Sequence, residues 1–291
     1  MAIDILQEKI RKLKNPTVVD FTVLPTHIPP HLLQGASRLE AYGQMCRELL
    51  SAFKGVIPAV RFSLGSFALY GAQGIAELTG LLNQAKELGF YVFLDGPELL
   101  SPWAARNASE GIFGAEPIYP CDGLILSPYL GTDVLKPFLD ACKASKKDLF
   151  PVVRSANKSA PELQDLLTGG RLVHTAAADI VSRCGQDMVG KFGYSQVGMV
   201  AAVTSQNSLR TIRSKYKNTF LLADGLDYPS GFVKSCALAF DRLGHGAAVC
   251  AGGSVVGAWQ TAGTDGQDYI DQALKELERI RTNLMRYITI M

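Results

Sequence analysis

The sequence predicts a single-domain α/β protein of the (β/α)8 TIM-barrel class, and three observations lead there. Eight short apolar segments, each bounded by Gly, Pro, Ser or Asp, alternate with stretches of helical periodicity. Hydrophobic residues make up 47% of the chain against 19% charged, and the mean hydropathy is +0.12, as expected where strands are buried on both faces. The competing doubly wound sheet calls for a glycine-rich turn directly after the first strand. Thr22-Val23-Leu24-Pro25 follows that strand and contains no glycine.

Met1 to Pro16 reads as a short amphipathic helix carrying Glu8, Lys9, Arg11 and Lys12, without the apolar core of a signal peptide. The barrel occupies residues 17–259. Its strand candidates are Val18–Phe21, Val56–Phe62, Tyr91–Leu94, Gly123–Leu126, Leu149–Val153, Val197–Val203, Phe220–Ala223 and Ala247–Cys250. Helices are expected over Arg38–Phe53, Gly74–Leu88, Thr132–Ser145 and Ser230–Leu243, where apolar residues recur at helical spacing. Asp268–Tyr287 closes the chain as a long helix within the terminal segment 268–291.

Composition excludes several classes of function. Twenty-nine Lys+Arg against 27 Asp+Glu leave a formal charge of +2, which is no footprint for nucleic acid or an anionic membrane. No apolar run is long enough to span a bilayer. The six cysteines form no CxxC pair, and none of the four histidines stands beside one at ligand spacing, so neither a disulfide framework nor a zinc site is expected. Reduced thiols and the missing export signal point to a cytoplasmic protein.

Function in such a barrel gathers at the C-terminal strand ends. Read in order, these carry Asp20; Arg61 and Ser63; Asp95, followed by Glu98; Ser127; Arg154, Ser155 and Asn157; Thr204 and Ser205; Asp224 and Asp227; and Gly252, Gly253 and Ser254. Two readings compete. Gly252-Gly253-Ser254 and the two arginines could bind an anion, or the glycines serve close packing while Arg61 and Arg154 pair with Asp95 and Asp20. A cluster of three or more carboxylates could also hold a divalent cation, although the sequence calls for no resident metal or cofactor. Nucleophile motifs are absent, and Cys121 and Cys250 read as core thiols.

The segment Asp122-Gly123-Leu124-Ile125-Leu126-Ser127-Pro128-Tyr129-Leu130-Gly131-Thr132-Asp133, with Pro137-Phe138 after it, resembles a "PYLG-x-D…PF" stretch of the orotidine 5′-phosphate decarboxylase family, in its long bacterial subgroup. Phe150–Asn157, Glu162–Leu166 and Ala247–Trp259 resemble further family segments in the same order. The resemblance implies a cofactor-free decarboxylase of pyrimidine biosynthesis, with lysines and aspartates around the substrate carboxylate. It places Asp95 at the first aspartate of the D-x-K-x-x-D motif, Pro97 at the proton-donating lysine, Leu100 at the second aspartate, and Arg61 at the lysine of strand two. Gly253 falls at the phosphate-gripping arginine and Ala156 at a pyrimidine-contacting serine, while Asn157 remains. Residues 223–230 replace a glycine-rich loop and add Asp224 and Asp227. Proline and leucine can do no acid–base work, and arginine is a poor proton donor. The expectation is therefore a non-decarboxylating homologue with a small-molecule ligand at the mouth. A lyase with relocated groups or a different substrate is the alternative. The resemblance also implies a homodimer through the mouths, or a heteromer with an active paralogue, involving Leu99, Leu100 and Trp103.

Overall fold

The computed structural model describes residues 1–22, 24–96, 101–229 and 231–291. Ten strands appear among them: β1 (Thr17–Asp20), β2 (Ala59–Ser63), β3 (Tyr91–Asp95), β4 (Gly123–Leu126), β5 (Asp148–Arg154), β6 (Leu167–Thr168), β7 (Arg171–Leu172), β8 (Met199–Ala202), β9 (Leu221–Asp224) and β10 (Ala247–Ala251). Eight of them close into an all-parallel barrel in the order β1-β10-β9-β8-β5-β4-β3-β2, and β6 and β7 form a separate antiparallel hairpin. Helices lie between the barrel strands, as parallel crossovers require. No helix among the described residues is long and apolar enough to cross a membrane.

Each barrel strand overlaps an expected segment, with ends shifted in all but β4: β5 gains Asp148 and Arg154, while β8 loses Val197, Gly198 and Val203. Strand β2 begins at Ala59 rather than Val56 because Val56 N–H and Ile57 N–H bond back to Phe53 O, and Pro58 follows. Arg38–Phe53 is a helix with both expected ends. Ser37 caps it, accepting from Glu40 N–H while Glu40 accepts from Ser37 N–H. Thr132–Ser145 also matches.

The expected helix Ser230–Leu243 does not form as one element, and Ser230 itself lies outside the described residues. The segment holds a single turn at Val233–Cys236 and a 3-10 turn at Ala237–Ala239. Beyond it, the Asp241 carboxylate accepts from Leu243 N–H and His245 N–H, which organises a loop instead of a helix. The hairpin around Gly169-Gly170 was not expected. Both glycines have positive φ, as its two-residue turn requires.

The lower half of the barrel is packed by aromatic rings. Phe93 meets Phe150 edge-on at 5.0 Å, and Phe150 meets Phe220 likewise at 6.3 Å. Gly198 leaves room for Phe150, since a Cβ there would approach its ring to 2.4 Å. Below this layer Asp148 is fully buried. Its Oδ2 accepts from Tyr91 Oη at 2.7 Å, while Oδ1 has no partner. Burial pushes the Asp148 carboxyl well above the usual carboxylate range, against the pull of the Tyr91 hydrogen bond.

Asp148 thus keeps a proton in the fold that the unfolded chain releases, so stability falls as pH rises from about 4 toward the folded-state value. Asp148→Asn, neutral and of the same shape, is expected to flatten that slope. Urea unfolding at a series of pH values measures it, and an unchanged slope would assign the pH dependence elsewhere.

Candidate functional site

Arg61 is the centre of the mouth. It lies opposite Asp20 in the β1–β2 register, and Ser63, two residues on, lies opposite Asp95 in the β2–β3 register. Side chains two apart share a face, so the guanidinium rises from inside the barrel toward the strand ends. There Nε donates to Asp95 Oδ2 at 3.0 Å, and Nη2 contacts the same oxygen. Nη1 lies 3.4 Å from Asp20 Oδ2 and 3.4 Å from Asp224 Oδ2, the latter reached across the interior from β9. Burial works against the arginine's charge, but Asp20, Asp95 and Asp224 together outweigh it and hold the guanidinium well above its ordinary value. Burial pushes Asp95 upward despite Arg61, and Asp95 Oδ1 has no partner.

Two cavities flank this cluster. The larger, about 430 Å³, is lined among others by Asp20, Thr22, His27, Asp227, Cys250 and Gly252. The smaller, about 290 Å³, is lined by Ser127, Tyr129, Ser155, Asn157 and Gln164. Arg61, Asp95, Asp224 and Tyr228 line both and form the partition. Among the described residues, the mouth thus holds two cavities with a charged partition between them. Pro97, Glu98, Leu99 and Leu100 lie outside the described residues. Trp103 is 76% exposed and lines neither cavity.

The glycines of β10's end are already occupied. Gly252 N–H donates to Asp227 Oδ2 at 2.6 Å, so a carboxylate of the chain itself takes the donor that the anion reading would have used. A Cβ at Gly253 would come within 2.8 Å of His27 Cε1, and one at Gly257 within 2.9 Å of His27 Cδ2. The His27 ring thus lies against both glycines. Burial lowers its pKa, Asp227 opposing, which favours the neutral imidazole. Ser254 faces away from the mouth and lines an outer pocket with Gln272 and Arg279.

Arg154 does not reach the mouth either. The β5–β8 register shifts between Val152 and Arg154, a local irregularity that re-aims side chains. The guanidinium makes a bidentate pair with Asp165, both contacts at 3.0 Å, and lines neither cavity. The packing reading of the two arginines thus holds for Arg61 with Asp95 and Asp20, while the partner of Arg154 is Asp165. Asn157 accepts from Ser155 Oγ at 2.7 Å, and Ser127 Oγ accepts from Tyr129 N–H at 3.4 Å.

The carboxylates of Asp20, Asp95 and Asp224 converge on Arg61, whose side chain stands where a shared cation would have to lie. Among the described residues no group of His, Cys, Asp and Glu has metal-site geometry. Burial pushes the Cys250 thiol well up, so it is no thiolate nucleophile. His27, Tyr129, Gln164 and Tyr228 were not singled out from the sequence. Tyr129 and Gln164 lie in segments that carry the resemblance and Tyr228 in the loop that departs from it, whereas His27, just after β1, carried no such signal.

No protein-family model matches the chain. It is 30% identical over 213 residues to orotidine 5′-phosphate decarboxylase of Rhodopirellula baltica, covering 72% of this chain and 70% of that one. It is 23% identical over 288 residues to the enzyme of that name from Clostridium novyi, covering 98% and 99%. Solved structures share the fold. The orotidine 5′-monophosphate decarboxylase of Plasmodium berghei superposes with a TM-score of 0.76 at 12% identity, covering 98% of this chain and 99% of that one. The OMP decarboxylase of Leishmania donovani gives 0.71 at 20%, covering 97% and 99%.

Removing the central cation leaves three carboxylates facing one another with little water to separate them. Arg61→Met is expected to cost about 3 kcal/mol in guanidinium chloride unfolding at neutral pH, and less in acid where the aspartates take up protons. A loss that does not shrink on acidification would mean that packing, not charge, is what Arg61 contributes.

Proposed function

The chain belongs to the orotidine 5′-phosphate decarboxylase family, and on that premise we propose that it binds a small ligand at the barrel mouth without decarboxylating orotidine 5′-monophosphate, as a regulatory, scaffolding or binding member of the family. The carrying observation is the state of Arg61. It stands where the resemblance places the lysine of strand two, and its charge is matched by Asp20, Asp95 and Asp224 together. With Asp227, four carboxylates line a cavity whose described cations are Arg61 and a His27 that favours its neutral form. A phosphate brought to within about 5 Å of one carboxylate meets about 3 kcal/mol of repulsion per unit charge pair at an effective dielectric near 20. The backbone donor of Gly252, which could have offset this, is committed to Asp227.

The competing reading is a lyase with relocated groups. Glu98 or Arg61 would substitute in that reading, and Asp95, whose burial raises its pKa, is a further proton source among the described residues. Purified chain incubated with orotidine 5′-monophosphate is expected to release no carbon dioxide above a buffer control. Turnover that disappears in Asp95→Asn would overturn the proposal in favour of the relocated enzyme.

The free state of all six cysteines fits the expected cytoplasmic setting. On the rim, Leu69 after β2 is 86% exposed and Trp103 after β3 is 76% exposed. Two such side chains beyond adjacent strand ends fit a homodimer through the mouths, or pairing with an active paralogue. Light scattering behind size exclusion is expected to give twice the chain mass, falling to one chain mass in Trp103→Glu. A monomer in the unaltered chain would remove the homodimer.

A further inference from the structure

A cluster of cations lies toward the opposite end of the barrel. The helix Gln206–Lys215 and the turn after it carry Arg210, Arg213, Lys215 and Lys217 without an acid. They lead into β9 at Leu221, while Phe240–Leu243 lead into β10 at Ala247. Between these two approaches lies a pocket of about 630 Å³, lined by Arg213, Ser214, Lys217, Phe240, Asp241, Arg242 and Leu243.

The cations here are poorly compensated. Lys215, nearby, is paired with Asp179 at 2.7 Å and covers the Tyr216 ring. Lys217 and Arg242 make no ion pair among the described residues. Arg213 donates from Nη2 to Thr219 O, but its shielded Nε and Nη1 have no acceptor. Asp241 does not fill this need. Its Oδ1 accepts from Leu243 N–H and His245 N–H, and its Oδ2 accepts from Tyr194 Oη at 2.6 Å. Burial pulls the Arg213 pKa down, with Tyr194 and Asp241 only partly opposing. Three cations thus share one carboxylate, both of whose oxygens already accept from other groups, beside the apolar surfaces of Phe240 and Leu243. Partial burial makes an unbalanced charge more costly and its neutralisation by a ligand more favourable.

We propose that this pocket is a second binding site, remote from the mouth, for a small organic phosphate whose dianionic head faces Arg213, Lys217 and Arg242 and whose apolar body lies on Phe240 and Leu243. The inference is independent of the reading of the mouth, because it uses none of the mouth's residues. Two surplus positive charges match a dianion, and the apolar wall favours an organic ester over the free ion.

Isothermal titration of the full chain with phenyl phosphate at low ionic strength tests it. Saturable binding is expected, weakened at least about tenfold in Lys217→Ala/Arg242→Ala, weakened by salt, and unchanged in the mouth variant Tyr228→Ala. Inorganic phosphate is expected to bind more weakly than the ester, and phenol not at all. Both substituted residues are exposed, so the double variant tests charge without emptying the core, and Arg213→Met adds a second check where it folds. Absence of saturable binding, or affinity kept in the double variant, would overturn the proposal.

Discussion

A guanidinium enclosed by a barrel must be matched by carboxylates, and the upper half of this structure is organised by that requirement. Arg61 starts on β2 and is held by acids from β1, β3 and β9. One side chain therefore ties together strands that hydrogen bonding alone would leave three places apart around the ring. The arrangement divides the mouth into two cavities and places a polar wall between them. It also removes the group most able to attract an anion, since a cation already surrounded by three carboxylates has little field left to offer.

The theme recurs at smaller scale at the mouth and just outside it. Asp227 occupies the backbone donor of Gly252, and Asp165 occupies the fork of Arg154. In each case a feature that could serve a bound phosphate instead has a partner within the chain. The two ends of the barrel consequently differ in electrostatic character. The mouth has acids in excess of its cations, whereas the pocket below β9 and β10 has cations in excess of its acids. The net charge of +2 is a sum over the whole chain and carries no sign of this local contrast.

The strands were legible because buried parallel strands are short apolar runs with sharp ends, and Gly123–Leu126 shows the pattern without any correction. Helices were legible where periodicity and a cap agree, as at Ser37–Phe53. Periodicity misled over 230–243, where Asp241 competes for backbone donors that a helix would need. At the site, Asp20, Arg61, Asp95 and Asp224 could be read as strand-end residues, and one of their pairings followed from opposite charge on adjacent strands. The destination of Arg154 could not, because a register shift in β5 sends it to an acid from a later loop. Ser254 likewise turns outward from a segment that looked like part of the mouth. Such directions depend on backbone geometry that residue types do not encode singly.

The packing of His27 against Gly253 and Gly257 couples positions far apart in sequence. Its ring fills the space that any side chain at either glycine would enter, and the backbone beside it is anchored, with His27 O accepting from Trp259 Nε1 at 3.0 Å. A side chain at 253 would bring its Cβ against the imidazole, so the half-buried ring has to swing aside to admit it. Positions 27 and 253 are therefore sterically coupled, and substitutions at the two are expected to be non-additive.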